Sequence, residues 1–398
     1  MRRYLMDNEN LIQEAQAMKD ELITMRRHFH QHPELGLDTK ETADYVEKKL
    51  TEYGYAPKRI GHNSVTTTIG NGGKVLLLRA DMDSLPITEE SGLPFASEVP
   101  GKAHCCGHDL HTAMLLGAAK LLKAHESELK GTVKLFFQAG EENMQGCRDA
   151  IEAGILQDPK VNAAMAIHVN SIAMCGRILV LLGSTASSDL FTIHIKGHGC
   201  HGARPEEGVD VLNVASHIDI ALQELQAREI RAGQTGVLTV CCIQGGMTFN
   251  VFPDEAKMMG TIRTFDTQIR DHLVNRLQEI ADGVAKTFRA KVTVEFEKSY
   301  TIPLVVDQTM AKEAIADLRK LFPQDQVFPL QQNFPGSEDF SFIAKEVPSI
   351  FIALGANAVP GTKFGQHHPK VIFNEDCLPV GAAVHTQFAL EWLKAHKD

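Results

Sequence analysis

The stretch HTAMLLGAAKLLKAHESELKGTVKLFFQAGEE, residues 111–142, contains a helical pattern followed by an apolar run of strand length. Its first fifteen residues follow a helical period, and TVKLFF then forms a short apolar run. Comparable apolar runs occur at 64–70, 74–83 and 163–170, with helical patterns between some of them. Because apolar runs that alternate with helices are typical of layered α/β proteins, we predict an α/β domain with a largely parallel sheet.

The middle of the chain has a different order of elements. Strand patterns lie at 189–197, 236–246, 255–265 and 290–300, and helical patterns lie at 210–228 and 267–288. The resulting β-α-β-β-α-β order is typical of a ferredoxin-like unit. The α/β pattern resumes after it. We therefore predict a discontinuous larger domain of residues 1–185 and 301–398, with residues 186–300 inserted in it.

The composition argues against several classes of protein. A chain of 398 residues is long enough for two or more domains. Its net charge of −10, without a block rich in Lys and Arg, argues against nucleic-acid binding. No apolar run approaches the length of a membrane span, and no apolar segment follows the N-terminal arginines as in a signal peptide. The eight cysteines are not spaced like a secreted disulfide framework, so we expect a cytoplasmic protein.

Cys106 and His108 lie in the stretch HCCGHDLH, residues 104–111. Side chains two residues apart in an extended loop project to the same side. Thiolate and imidazole are good ligands for divalent transition metals. The C-x-H spacing is a weak pattern by itself, and it leaves open both a metal site and a nucleophilic thiol. A disulfide is a poor explanation in a reducing compartment.

Two adjacent carboxylates, Glu141 and Glu142, follow an apolar strand and a glycine in FFQAGEEN. Sites in open α/β sheets form at the carboxyl ends of strands. Adjacent residues diverge there, so one carboxylate can bind a metal while the other faces a water molecule. A metal-dependent hydrolase needs that division, because a Lewis acid lowers the pKa of water and a separate base takes the proton. The alternative is a solvated pair of glutamates at the start of a loop.

More ligand-type residues lie at the ends of other strands and in loops. His168 ends the apolar run AAMAIHVN, and His367 and His368 lie in a loop before the last predicted helix. Asp81 and Asp83 end the run LLLRADMD, where alternation puts both on one face. They are placed to orient metal ligands, or to cap the loop. Each group alone has an ordinary explanation, but together in one chain four of them favour a metal site: Cys106 with His108, Glu141 with Glu142, His168, and His367 with His368.

Nearly the whole chain resembles the metallopeptidase M20 group, specifically its amidohydrolase branch of aminoacylases, hippurate hydrolases and indoleacetyl-amino-acid hydrolases. The motifs that carry the resemblance are, in order, RRHFHQHPELG, LLLRADMDSLP, HCCGHDLHTAMLLGAAK, FFQAGEE, AIHV, GHGCHGARPEEGVD, NVFPDEAKMMGTIRTF, GSEDFS and HHPKVIFNED. The resemblance implies an α/β, three-layer, zinc-peptidase-like catalytic domain. It also implies that the insertion is a ferredoxin-like α+β lid and dimerisation domain.

The resemblance implies a centre of divalent metal ions, two per subunit, with zinc, manganese, cobalt or nickel as candidates. The implied ligands are Cys106, His108, Glu142, His168 and His367. Glu141 is then the general base. His367, rather than His368, matches the family ligand because it lies seven residues before Asn374.

In the inserted domain, three residues match family positions that handle the substrate carboxylate and the oxyanion: His201, Asn250 and Arg263. In the family, His201 can reach the active site of a partner subunit. The chain departs from the family at Cys105, where a small residue is usual, so two thiols could compete for metal. It also departs at Glu206, which replaces a frequent histidine and alters the charge near the substrate mouth.

We therefore predict a metal-dependent amidohydrolase, an M20-type peptidase that cleaves N-acyl amino acids or similar small amides. In the predicted mechanism, a metal-bound water deprotonated by Glu141 attacks the amide carbonyl, and the metal and His201 stabilise the oxyanion. Arg263 pairs with a free carboxylate, and the insertion closes as a lid.

We expect a homodimer or higher homo-oligomer, and no nucleic-acid or membrane partner. A dipeptidase or carboxypeptidase of the same fold is the alternative. Two further rivals are a thiol hydrolase that uses Cys106 with His108 and a metal-binding protein without activity. Glu141 argues against the second of these, because a pure binder needs no base beside its ligands.

Overall fold

The computed structural model describes residues 2–358 and 364–397. The chain forms two compact units. The larger unit comprises Met1–Gly183, Val306–Gln332 and Phe342–Asp398, and the smaller unit comprises Ser184–Val305 and Asn333–Ser341.

The smaller unit therefore differs from the predicted insertion of residues 186–300, because it also includes residues 333–341. The reason is backbone pairing between distant segments. Phe334 N donates to Ser184 O at 2.9 Å, and Ala186 N donates to Phe334 O at 3.1 Å. Residues 333–341 have no periodic pattern, so their assignment depends on contacts that sequence reasoning did not see.

The helices and strands follow the predicted alternation closely. The helices are α1 (Arg2–Ala17), α2 (Lys19–Gln31), α3 (Lys40–Glu52), α4 (His108–Ala124), α5 (Gly146–Glu152), α6 (Val211–Glu224), α7 (Thr267–Thr287), α8 (Gln308–Leu318), α9 (Ser341–Glu346) and α10 (Cys377–Ala395). The strands are β1 (Lys58–Ile60), β2 (Ser64–Gly70), β3 (Val75–Asp81), β4 (Thr132–Gln138), β5 (Ala163–Met174), β6 (Ile178–Leu181), β7 (Asp189–Lys196), β8 (Gly236–Gly245), β9 (Glu255–Thr264), β10 (Lys291–Phe296), β11 (Val327–Leu330) and β12 (Ser349–Asn357).

In the described part of the larger unit, the strands form an eight-stranded sheet in the order β1-β2-β4-β3-β5-β12-β6-β11. The strands β4, β3, β5 and β12 are parallel neighbours, and β11 is parallel to β6. Antiparallel pairs join β1 to β2, β2 to β4, and β12 to β6. The sheet is thus mixed, with its parallel part in the middle. Both β3 and β4 are buried along their whole length, as expected for central strands covered on two faces.

Helix α4 is at the centre of the packing of the larger unit. Most of its residues are buried, and it packs against α2 and α10. Gly117 permits this close approach, because a Cβ there would lie 2.6 Å from Leu22 of α2 and 3.0 Å from Ala382 of α10. The start of α4 is therefore held in place by the core.

The smaller unit has the predicted β-α-β-β-α-β order. Its described strands form an antiparallel sheet in the order β10-β7-β9-β8. Alternate residues of β7 and β9 are buried, and they form a core with α6 and α7. One face of the sheet is thus covered by helices, as in a ferredoxin-like unit.

None of the helices in residues 2–358 and 364–397 combines the length and the apolar character needed to cross a membrane.

Candidate metal centre

The predicted site residues of the larger unit meet at one edge of the sheet. Asp81 is the last residue of β3, Glu141 follows β4 after a short turn, and His168 lies on β5. Because β3 is parallel to both β4 and β5, the carboxyl ends of the three strands lie side by side. This is the edge where open α/β sheets form their sites.

The side chains of this edge form overlapping groups of metal-ligand atoms, each within 4.8 Å of one another. The groups within this unit are Cys106–His108–His168, Cys106–Glu142–His367, His108–Glu141–Glu142 and Asp81–His108–His111. The first two groups share only the thiol of Cys106. Together they contain all five predicted ligands.

The turn before α4 sets the geometry of Cys106 and His108. Gly107 precedes the helix with φ +98°, in the left-handed region, and His108 is the first helical residue. A Cβ at Gly107 would lie 2.4 Å from Val169, so only glycine fits this turn. The thiol of Cys106 then lies 3.4 Å from His168 Nε2.

His108 presents one ring nitrogen to the site. Its Nδ1 donates to the backbone carbonyl of Asp83 at 2.9 Å, which leaves Nε2 for a ligand. His108 Nε2 and Glu142 Oε1 lie 3.8 Å apart. Within the described residues, both atoms are buried without a hydrogen-bond partner.

This pair of buried atoms tests whether the residues fit a metal ion. Buried polar atoms are nearly always paired, and 3.8 Å is too long for a hydrogen bond. Two ligand atoms that each lie about 2.0–2.2 Å from one shared cation are farther apart than two atoms joined by a hydrogen bond. The donor set and its spacing therefore fit a divalent metal.

The loop after β12 supplies the last predicted ligand. His367 Nε2 lies 3.6 Å from Glu142 Oε1. His368 instead accepts a hydrogen bond from Lys370 N and stacks on Phe364, with ring centroids 4.2 Å apart. The structure thus places His367, and not His368, beside the other predicted ligands.

Asp81 and Asp83 contact residues that surround the predicted metal ligands. Asp83 accepts the backbone N–H groups of Glu141 and Glu142, one on each carboxylate oxygen, both at 3.0 Å. Asp81 accepts from Arg79 at 2.6 Å and contacts His111 Nδ1 at 2.5 Å. Both carboxylates are therefore occupied in positioning their neighbours.

Burial and neighbouring charges shift the pKa values of the ionisable groups of the site. Burial raises the pKa of Glu142 to about 7, against the opposing influence of His108. Burial also raises the pKa of the Cys106 thiol well above its ordinary value, and Glu142 adds to the effect. Burial opposes the charged form of His108, but Asp81 and Asp83 outweigh it and raise its pKa to about 10. A bound divalent cation would bring positive charge to this cluster and favour the deprotonated forms of the thiol and the carboxylate.

His111 is a supporting residue that sequence reasoning missed. Its Nδ1 faces Asp81, and its Nε2 accepts the backbone N–H of Val169 at 2.8 Å. Both ring nitrogens are thus engaged, which makes His111 a link between β3 and β5. Its spacing of three residues from His108 on a helix could have indicated a shared face.

Three predicted substrate residues lie in the smaller unit. His201 forms a β-bridge with Val251, and Gly202 N donates to the carbonyl of Asn250 at 2.8 Å, so His201 and Asn250 lie on paired segments. Arg263 is near the far end of β9 and is half-buried. The structure brings the first two together and places Arg263 apart from them.

The two residues that depart from the family pattern lie in different settings. Cys105 is 2% exposed, and burial raises the pKa of its thiol to about 12. Its carbonyl accepts the N–H of His367, while its thiol is in none of the ligand groups of the described residues. Glu206 is exposed in a short turn, Pro205–Glu207, of the smaller unit.

Comparison with known proteins gives a consistent result. A family model described as "Peptidase family M20/M25/M40" matches residues 77–391. The chain is 36% identical over 384 residues to "IAA-amino acid hydrolase ILR1-like 4" of Arabidopsis thaliana. The match covers 94% of this chain and 86% of that protein. The chain is also 34% identical over 386 residues to "N-acetylcysteine deacetylase" of Bacillus subtilis (strain 168), which covers 96% of this chain and 99% of that protein.

A solved structure has the same fold over both units. It is the Bacillus subtilis YXEP protein, described as a dinuclear metal binding peptidase from M20 family. The TM-score is 0.81 at 32% sequence identity, and the match covers 95% of this chain and 99% of that chain.

Proposed function

This chain belongs to peptidase family M20/M25/M40, and we propose which of its residues carry out metal-dependent amide hydrolysis. The chain is a metal-dependent amidohydrolase of the M20 type. Its proposed substrate is an N-acyl amino acid or a similar small amide. The observation that carries the assignment is that His108 Nε2 and Glu142 Oε1 lie 3.8 Å apart, both buried and without a hydrogen-bond partner among the described residues, beside the second carboxylate of Glu141.

The proposed ligands hold two divalent ions per subunit. They are Cys106, His108, Glu142, His168 and His367. The two ligand groups that share Cys106 support this number, and so does the dinuclear solved relative. When bound, a divalent cation lowers the pKa of water and polarises a carbonyl oxygen. Zinc, manganese, cobalt and nickel are all compatible with thiolate, imidazole and carboxylate ligands.

Glu141 is the proposed general base. Asp83 holds its backbone N–H at 3.0 Å, and its Oε2 lies 3.9 Å from His108 Nε2, at the edge of the ligand cluster. From there the carboxylate takes a proton from the attacking water and delivers it to the nitrogen of the leaving amine. Glu142 cannot serve equally well, because its Oε1 faces both His108 and His367.

Three residues of the smaller unit have proposed roles in binding the substrate, which we assign from the chemistry of their side chains. Arg263 carries a planar guanidinium that suits the free carboxylate of an amino acid. His201 is a donor for the oxyanion, and Asn250 offers an amide to the same groups. The lid role predicted for this unit also stays a proposal.

The names of the relatives support the proposed substrate class. One is named for the hydrolysis of IAA-amino acids and another for the deacetylation of N-acetylcysteine. Both names describe removal of an acyl group from an amino acid. A dipeptidase or carboxypeptidase reaction of the same fold is the alternative, since the metal ligands do not distinguish these substrates.

A substrate panel with metal-reconstituted protein tests the proposal. Acetyl-, benzoyl- and indoleacetyl-amino acids are compared with dipeptides and C-terminally blocked peptides. We expect cleavage of N-acyl amino acids, loss of activity with chelator and its return with divalent metal. Faster cleavage of dipeptides would favour the alternative, and activity that survives chelation but not thiol alkylation would favour the thiol hydrolase.

We also propose that the chain forms a homodimer through its smaller unit. Met247 and Phe249 support this, because both are fully exposed in the loop between β8 and β9. Exposed apolar side chains on a loop are typical of a protein contact. Strand β8 is moreover an edge strand of its sheet.

A further inference from the structure

The loop that carries His367 has an unusual backbone. His367 has φ +66°, in the left-handed region that few residues other than glycine adopt. Its N–H donates to Cys105 O at 2.9 Å. Such a conformation persists only where the surroundings hold it. A second contact, made by the preceding side chain, holds this loop from the other side.

Gln366 ties the loop to strand β5. Its Nε2 donates to the backbone carbonyl of Val169 at 2.7 Å. Only the amide nitrogen can donate to a carbonyl, so the orientation of the amide is determined. Its Oε1 lies 3.2 Å from the hydroxyl of Ser171, which is also 3.2 Å from the carbonyl of Phe364.

The same carbonyl orients another proposed ligand. His168 Nδ1 donates to Val169 O at 2.7 Å, the same distance as the bond from Gln366. The N–H of Val169 donates in turn to His111 at 2.8 Å. The backbone of Val169 therefore contacts the ring of His168 and the loop of His367 through its carbonyl, and the helix that begins with His108 through its N–H.

We propose that Gln366 is a positioning residue that sets His367 relative to His168 by joining its loop to the carbonyl that orients His168. The inference rests on the proposed metal centre. Its effect is specific to the ligand group Cys106–Glu142–His367. The group Cys106–His108–His168 has no residue on this loop. Loss of Gln366 thus weakens one of two ion sites and leaves the other intact.

Co²⁺ binding by metal-depleted protein tests the proposal. Gln366→Met keeps the length of the side chain but cannot donate, and Ser171→Ala removes the hydroxyl while it leaves the bond to Val169. Lys370→Ala is the control, since Lys370 is exposed on the same loop and pairs only loosely with Glu90 at 3.7 Å. Both Co²⁺ affinities are measured by absorbance with a competing chelator, and the thermal midpoint of each metal-free protein is recorded.

We expect Gln366→Met to weaken the second Co²⁺ by about 10–100-fold, the usual effect of removing a residue that orients a ligand. The first Co²⁺ should keep its affinity, and Ser171→Ala and Lys370→Ala should bind both ions like the wild type. A merely structural role would lower the metal-free midpoint and leave both affinities unchanged, which would overturn the proposal. Equal weakening by Ser171→Ala would overturn it too, since the Val169 bond would not be the cause.

The wild-type titration separates this inference from the proposed function. If the wild-type protein binds no Co²⁺, the metal centre itself is wrong. If it binds two ions and Gln366→Met binds them equally well, only the role of Gln366 is wrong.

Discussion

The carboxylate of Asp83 accepts the backbone N–H of Glu141 through Oδ1, at 3.0 Å. Its second oxygen accepts the N–H of the next residue, Glu142, at the same distance. One buried side chain thus orients both the proposed base and a proposed metal ligand. The division of work between the two glutamates therefore depends on a residue that would touch neither substrate nor metal.

Asp83→Asn should impair the site while the fold survives. The amide has one acceptor oxygen, so one of the two N–H groups would face an NH₂ donor and the turn would shift. We expect kcat or metal affinity to fall by about 10–100-fold, as for other groups that orient ligands. Asp44→Asn, an exposed carboxylate on α3, is the matched control. An unchanged kcat and metal content in Asp83→Asn would show that the contact is dispensable.

Glu141→Gln and Glu142→Gln should have different effects. Glutamine keeps the size of Glu141 but cannot accept the proton, so turnover should fall by at least about 10²–10⁴-fold. Metal content, measured by elemental analysis, should stay near that of the wild type. Glu142→Gln should instead lose or loosen the metal. The opposite pattern would mean that the two roles are exchanged.

Cys106→Ser should lose bound metal and activity, whereas Cys105→Ala should keep most of both. Cys106 belongs to the group Cys106–His108–His168 and to the group Cys106–Glu142–His367. Cys105 is enclosed in the apolar core. The measurement is metal content after dialysis together with activity after metal is restored. Retention of metal by Cys106→Ser and loss by Cys105→Ala would reverse the assignment of the two thiols.

Gly107→Ala should destabilise the metal-free protein. The new Cβ would lie 2.4 Å from Val169 at φ +98°, which combines overpacking with left-handed strain. Together these cost about 2–5 kcal/mol. Gly72→Ala separates the two effects, because Gly72 has φ +65° and nothing within 4 Å of its Cβ. It should lose only about 1–2 kcal/mol. Equal losses in urea unfolding would mean that the contact with Val169 is unimportant.

The proposed dimer can be tested by subunit mixing. If His201 acts across the interface, His201→Ala and Glu141→Gln proteins should each be nearly inactive but recover some activity when mixed. Sedimentation should show a dimer at micromolar concentration, and replacement of Met247 and Phe249 by serine should weaken it. A fully active monomer would contradict the proposed assembly.

Much of the fold and of the proposed site follows from local pattern. The apolar run before Glu141 predicts a strand, and the position of Glu141 just after it predicts a side chain at the carboxyl edge of the sheet. The order of elements in the smaller unit follows from the same kind of pattern. Burial alternates along β7 and β9 because successive side chains of a strand point to opposite faces. Each such feature involves residues close together in the chain, so periodicity reports it directly.

Other features depend on contacts between distant residues. The pairing of Phe334 with Ser184 assigns residues 333–341 to the smaller unit, although nothing in their own composition indicates it. The antiparallel pairs β1–β2, β2–β4 and β12–β6 likewise make the sheet mixed rather than largely parallel.

The positions of the predicted ligands relative to their own strands can be read from the sequence, because a strand and the residue after it are neighbours in the chain. The hydrogen bonds that hold these residues in place depend on the folded chain instead. Val169 meets His111 across 58 positions and Gln366 across 197 positions. A buried backbone group must find a partner, but the partner is whichever segment the fold brings there. The sequence near the backbone group does not indicate which segment that is.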